Sequence, residues 1–409
     1  MKTAIWCSLL LLLATIALAE PEALDQVNSF RQMVGLTPLV WNENLAQAAK
    51  AHALYLQANQ AKGHSEDATL PGFTGAAPAE RALAAGYLSR MVWENLAQGQ
   101  TSLEQALEEL MSAPYHRLGF LRLDADELGF YEKGEIRVFL LGNRRINSLC
   151  HTELPARGDK FYFKLCQGAI KTPAAPVEQL TRQAQEQQPN SLVWPPEGSR
   201  FVPPAFYAEE PDPLPDRAVK GYPLTVQLNP LVYPQPQLLR LQILPQGSKT
   251  PLQARLYDPA GDPNARLLAG EYLLLPLERM DWGTTYVVEA EFLNEGRNLR
   301  LNWQFTTKPA PENLIKLKGD GEWIWVQPHR LVHLFHPPTE ANPLFPQFQT
   351  SSSSGVKAVF TWVDWNTLAV EMQGTPCGWV KFRYPPLRGF GLRLHPAREG
   401  AACPQPEGD

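Results

Sequence analysis

Hydrophobic periodicity changes once along this 409-residue chain, and that change limits what the chain can fold into. From Glu22 to about Pro114 apolar residues recur three and four positions apart, the spacing of a buried helix face. From Glu127 onward they alternate or gather in short runs cut by proline, glycine and aspartate, the spacing of strands. With 44% hydrophobic residues the chain can bury a substantial core, and its length favours two to four domains over one. Its 38 prolines, roughly twice ordinary usage, point to linkers and extended strand-rich modules.

The first segment reads as helices closed by turn residues. Glu22 to Val34 places Leu24, Val27, Phe30 and Val34 on one face, and Gly35 ends it. Asn42 can cap a second helix carrying Leu45, Ala48, Ala49, His52 and Tyr55, with Trp41 at the join and His52 as a core histidine among small apolar neighbours. Pro78 opens a short helix that runs to Ala85. Ser102 with Gln105 forms a capping box for a helix with Leu103, Leu107, Leu110 and Met111 inward, stopped at Pro114. A hairpin follows over Glu127–Tyr131 and Glu135–Leu141, with Ile136, Val138 and Leu140 alternating against Arg137 and Phe139.

Beyond it, residues 151–222 form a proline-rich connector containing the polar run QLTRQAQEQQPN. Residues 223–308 read as short alternating strands. They resemble bacterial immunoglobulin-like modules, most clearly at DWGTTYVVEAEF and NWQFTT, with Trp303 and Tyr286 as core residues. Residues 309–409 read as a further β-rich domain of aromatic strands, in which His329, His333 and His336 cluster among prolines without an acidic partner at ligand spacing.

Three features concern compartment and partners. Met1 to Ala19 has a basic start, an apolar core from Leu9 to Ile16 and the small-x-small end Ala17-Leu18-Ala19, so a secretory signal over residues 1–19 and a mature chain from Glu20 are expected. No later segment is long and apolar enough to be a transmembrane anchor. Outside the signal stand Cys150, Cys166, Cys377 and Cys403, an even set in two local pairs. Of three connectivities, Cys150 with Cys166 and Cys377 with Cys403 is expected, and the close Cys-x-x-Cys spacing of a zinc site is missing. A formal net charge of -5 with no concentrated basic surface argues against nucleic acid as a partner.

Four motifs lie in order within the first segment: VNSFRQMVGLTPLVWNENLAQAAKAHA, a histidine (His64) before FTGAAPAERALAAGY, ENLA, and SAPYHR. On these, residues from about Leu24 to about Leu141, within a domain over residues 20–150, resemble the CAP family (cysteine-rich secretory, antigen 5, pathogenesis-related 1) in its bacterial secreted branch, which lacks the cysteines of the name. The resemblance implies an α+β fold: an N-terminal α-β-α sandwich, here followed by the immunoglobulin-like β-sandwich and the β-rich C-terminal domain. It also implies a shallow cleft lined by two histidines and two glutamates. His64 and Glu94 fall on the first histidine and the ENL glutamate, and His116 on the HR of the bacterial variant.

The chain departs from that pattern where the second histidine of the tetrad is expected, reading Glu135-Ile136-Arg137, and Trp93 replaces the glycine usual before ENLA. Glu66 is a further cleft candidate, with a surface glutamate as the plainer reading. Imidazoles and carboxylates suit a divalent cation such as zinc, held by His64, His116 and Glu94, or a proton-transfer pair. Each of the three lies beside a structural stop (Gly63, a turn before Glu94, Pro114), so each is expected at an element end facing solvent. No serine has a G-x-S-x-G setting and no cysteine precedes Cys150 in the mature domain, so a nucleophilic hydrolase has no visible nucleophile. The reading that follows is a secreted or periplasmic binding protein for a small apolar ligand or a cell-surface or envelope component. A metal-assisted hydrolase and a structural envelope protein are the alternatives.

Overall fold

The computed structural model describes residues 22–152, 158–318, 321–340, 342–384, 387–398 and 402–404; the expected signal over residues 1–19 lies outside them. The chain divides into two compact units. Among the described residues, one comprises those within 22–199, 223–275 and 286–305, the other those within 200–222, 276–285 and 306–404.

In the first unit, helix α1 (22–33) ends at Gly35, whose φ of +77° suits a residue without a Cβ. Helix α2 (Glu43–Asn59) is capped by Asn42, whose side chain accepts from the Leu45 amide at 3.1 Å. Helices α3 (Pro78–Ala84) and α4 (Leu103–Ser112) follow, the latter capped by Ser102. A four-stranded sheet runs in the order β1 (Val40–Trp41), β3 (Glu127–Lys133), β4 (Ile136–Gly142), β2 (Val92–Gln98). Two elements depart from the expected pattern. Pro114 does not simply stop α4: after the hinge at Ala113 it occupies the first turn of a new helix, α5 (Pro114–Phe120), where a missing N–H costs nothing. The turn expected before Glu94 is absent, because WENLA lies within the strand β2, which pairs antiparallel along its length with β4.

The sheet is covered on both faces. Leu45, Ala48, Ala49 and Ala53 of α2 pack with Val138 and Leu140 of β4, while Phe139 points the other way, 5.2 Å from the Phe120 ring and 4.7 Å from that of Phe130. For this reason β4 is buried from Arg137 to Gly142, not on alternate residues as expected of a half-exposed hairpin. Arg137 is accommodated by an ion pair with Glu132 and a 2.8 Å bond to the Gln100 carbonyl. At Gly129 of β3 the α2 backbone comes so close that a Cβ would lie 2.1 Å from the Ala46 nitrogen.

Arg31 of α1 is fully buried and donates to the carbonyls of Thr37, Phe120, Arg122 and Ala125, fixing the link from α5 to β3. Burial lowers its pKa to about 10, against the opposing pull of Asp126 and Asp124.

The run expected as a polar connector contains an amphipathic helix, α6 (Ala174–Gln185), that buries Ala174, Val177 and Ala184. Beyond it Ala254–Tyr257, Glu271–Pro276, Leu224–Leu228 and Ser191–Trp194 form one sheet in that order, and Gln237–Pro245, Thr285–Asn294 and Arg297–Thr307 are neighbours in another. Tyr286 and Trp303 are buried, as expected. The second unit contains two further four-stranded sheets around Leu334, Leu368, Val370, Phe382, Phe390 and Leu392. Both expected disulfides, Cys150 with Cys166 and Cys377 with Cys403, are present.

Gly129→Ala must push α2 off the sheet, because the obstructing atoms are backbone. We expect a loss of about 1–3 kcal/mol, the usual range for overpacking, read as a lower urea midpoint at unchanged slope; an unaltered midpoint would show that α2 and β3 are not in close contact.

Candidate functional site

Strand β2 lies at the edge of its sheet, and successive residues point to opposite faces. Glu94 faces α3. Its two oxygens accept from Arg81 Nη2 at 3.0 and 2.8 Å, and Oε1 also meets His64 Nδ1 at 2.9 Å. Asn95 faces α5, and its side-chain amide donates to the His116 carbonyl at 2.8 Å. Its fit there is close, since a Cβ on Gly119 of α5 would fall 2.9 Å from Asn95 Oδ1. Consecutive polar residues of ENLA thus hold the two histidine-bearing segments, and the His64 and His116 rings stand side by side with centroids 6.3 Å apart and planes inclined by 29°.

Behind His64 lies a buried charge cluster. His52 Nδ1 meets Glu66 Oε1 at 2.9 Å and its Nε2 meets the Gly63 carbonyl at 3.2 Å. Both ring nitrogens thus lie against oxygen atoms, which fixes the orientation of the buried ring. The other oxygen of Glu66 accepts from the Thr74 amide at 2.8 Å, while Arg81 donates to the carbonyls of Gly75 and His64 and places Nε 3.8 Å from Glu66. Burial is the largest influence on Glu94 and pushes its pKa up, but the His64 hydrogen bond and the charges of Arg81 and His52 outweigh it and hold the carboxyl below the ordinary 4.5.

His64, Glu94 and His116 are therefore close together, although not as three solvent-facing element ends. The His64 side chain is 41% exposed; that of Glu94, in mid-strand, is 1% exposed, because its charge is met from inside the protein. Glu66 is buried too, not the surface glutamate of the plainer reading, since His52 and the 74–75 backbone occupy its oxygens. The zinc expectation fits poorly: among the described residues no three His, Cys, Asp or Glu side chains group as a metal site. The physical obstacle is the donor set, because a guanidinium already holds both Glu94 oxygens where a cation would have to bind. In the second unit His333 and His336 are likewise turned to backbone carbonyls, of Glu312 and Asn342. Burial also lowers the pKa of His336. Trp93 carries the guanidinium of Arg122 over its ring at 3.9 Å.

Sequence reading missed Arg81, which joins the two carboxylates. Its signal was an arginine adjoining the buried Ala82 in the alanine-rich helix PAERALA, a phase that solvent exposure does not explain.

Residues 24–132 match the family model of the cysteine-rich secretory protein family, CAP. A curated-protein search returns no match. Among solved structures, an extracellular protein containing an SCP domain from Bacillus anthracis is 18% identical over 31% of this chain and 40% of its own, with a TM-score of 0.28. An outer surface protein of Borrelia burgdorferi is 23% identical over 29% of this chain and 88% of its own, with a TM-score of 0.26. The chain thus spans about two fifths of the length of the Bacillus anthracis protein.

Glu94→Gln leaves Arg81 buried opposite a neutral group and should cost about 3–5 kcal/mol, the range for one-sided removal of a buried ion pair. Adding Arg81→Met should lose less than the sum of the single changes, by urea unfolding. The pH dependence follows from the lowered Glu94 pKa: its contribution is complete above the unfolded-state value near 4.5 and disappears as pH falls through the depressed folded value. Acidification below about 4.5 should therefore narrow the stability gap between wild type and Glu94→Gln. A gap that stays constant would show that Glu94 is not charged in the native cluster.

Proposed function

We propose that the chain is an exported protein whose CAP domain recognises a ligand or surface without turning it over, through the cleft at His64 and His116. The observation that carries this reading is the state of Glu94. Both of its oxygens are engaged by Arg81, one of them also by His64, and its side chain is buried, so it serves to fix the His64 ring and is not presented to a substrate. What faces outward is a pair of neighbouring imidazoles, polarisable faces with nitrogen edges, suited to a small apolar or planar group with one polar handle. Residues 223–308 we take to be an immunoglobulin-like module, which with the β-rich C-terminal domain over residues 309–409 serves as spacer and second contact to the cell surface or envelope. Removal of residues 1–19 and a secreted or periplasmic location belong to the same proposal. They are supported by the two disulfides.

A second reading rests on one distance. His64 Nδ1 at 2.9 Å from a carboxylate is the geometry that orients an imidazole as a general base, leaving its Nε2 edge for a proton. In that case His64 accepts the proton of an attacking water and Glu94 steadies the imidazolium.

Native mass spectrometry of the full chain recovered from its export compartment separates the two. Under the binding reading the protein begins at Glu20 and carries a stoichiometric small apolar molecule, lost in His64→Ala and His116→Ala. A ligand-free protein that hydrolyses ester or amide substrates, with at least a hundredfold loss in His64→Ala, about the contribution of one general base, would replace binding by catalysis.

A further inference from the structure

Outside the matched segment, residues 158–173 form a small two-stranded ribbon. Strand β5 (Phe161–Phe163) pairs antiparallel with β6 (Lys171–Pro173), setting Phe161 opposite Pro173 and Phe163 opposite Lys171. Its base is fixed from several sides. Cys166 is bonded to Cys150 and bridges to Ser89, the Arg90 amide donates to Leu165, the Gln167 amide to Leu88, and the Ala174 amide at the start of α6 to Lys160. The backbone is therefore held, yet its side chains are directed into solvent. Phe163 is 73% exposed, Ile170 80% and Tyr162 43%, and the Lys164 amide donates to the Ile170 carbonyl, which brings Phe163 and Ile170 to the same end.

A cross-linked ribbon that holds large apolar side chains away from its own core marks a contact surface. Charge indicates what it contacts. Lys160, Lys164 and Lys171 are all exposed on the ribbon, Lys171 lies 4.4 Å over the Phe161 ring, and the one acidic side chain among the described ribbon residues is Asp159. This basic rim stands on a chain whose formal net charge is -5, so an anionic surface repels the molecule in general and attracts it here. Lysines around an apolar, tyrosine-bearing tip match the headgroup region of a bilayer, where ammonium groups meet phosphates and the tip enters the acyl boundary. A nucleic acid or an acidic polar protein would leave Phe163 and Ile170 in water.

We propose that residues 158–173 are a docking wedge for an anionic lipid surface. Phe163, Ile170 and Tyr162 enter the bilayer interface, and Lys160, Lys164 and Lys171 pair with its headgroups. Because the disulfide and the backbone bonds already order the ribbon, docking loses little conformational freedom. The contact is shallow and reversible, and it does not draw on the histidine cleft.

Co-sedimentation of the full chain with vesicles tests this. Wild type should bind vesicles of equal parts phosphatidylcholine and phosphatidylglycerol and release them as salt is raised past the point where surface charges are screened; pure phosphatidylcholine should retain little. Phe163→Ser with Ile170→Ser should weaken binding by at least about tenfold, and Lys160→Gln, Lys164→Gln and Lys171→Gln together should do the same. The changed side chains are exposed, so thermal melting of these variants should match wild type and confirm that they fold. Wild type that ignores anionic vesicles, or binds them as well with both sets of changes, overturns the proposal. So does a lipid-free dimer that Phe163→Ser with Ile170→Ser turns into monomer, which makes the tip an interface between copies.

Discussion

Charge placed where water cannot reach it is the constraint on which the first unit depends. Arg31, Arg81 and Arg117 are among the largest fully buried side chains, and each reaches groups distant in sequence. Removing a guanidinium from water costs several kcal/mol, which the hydrogen bonds and ion pairs these side chains do make offset in part. Arg31 gathers four carbonyls around the end of α5, Arg81 links two carboxylates to two loop carbonyls, and Arg117 reaches the Pro223 carbonyl at 3.0 Å. Hydrophobic packing supplies most of the favourable free energy in such a core, but it is non-directional. The arginines supply direction, fixing which loop lies where and so the positions of His64 and His116.

The same logic divides the work around the two histidines. Glu66, Glu94, Arg81 and His52 contact one another in the interior, while His64 and His116 are partly exposed. Arg81 already occupies both Glu94 oxygens, which is why the donor set that looks metal-like as a sequence is poorly suited to a metal as a structure. Strand β2 is the pivot, because alternation gives two adjacent residues, Glu94 and Asn95, access to both faces of one edge strand.

What the sequence revealed, and what it concealed, follows from how each feature is encoded. Helix faces and caps were legible because they are local: Asn42, Ser102 and Gly35 do what their chemistry favours wherever the chain goes. Alternating strands such as Thr285–Asn294 were legible for the same reason. Strand β2 was not, because its inward residues include a glutamate and an asparagine, and polar burial leaves no hydrophobic period to read. A hairpin alone predicts one wet face and so an outward Arg137 and Phe139; Phe139 is instead met by Phe120 of α5, a helix that begins at an apparent stop, and Arg137 by Glu132 and the Gln100 carbonyl. Glu66 and Arg81 escaped notice as partners because their pairing lies in tertiary space. The family resemblance brought His64, Glu94 and His116 together, a grouping their spacing could not supply.

The helix that carries His116 is attached in a way that bears on modularity. Its neighbour Tyr115 donates a hydrogen bond to Asp262, which also receives the amides of Asn264, Arg266 and Leu267, and Arg117 lies 5.9 Å from the Trp194 ring. Both flanks of His116 are thus anchored on residues far outside the matched segment, which itself stops at Glu132, short of β4. A polypeptide of residues 24–132 alone would lack β4, the strand that joins β3 to β2, and the partners of Tyr115 and Arg117 that hold the helix carrying His116.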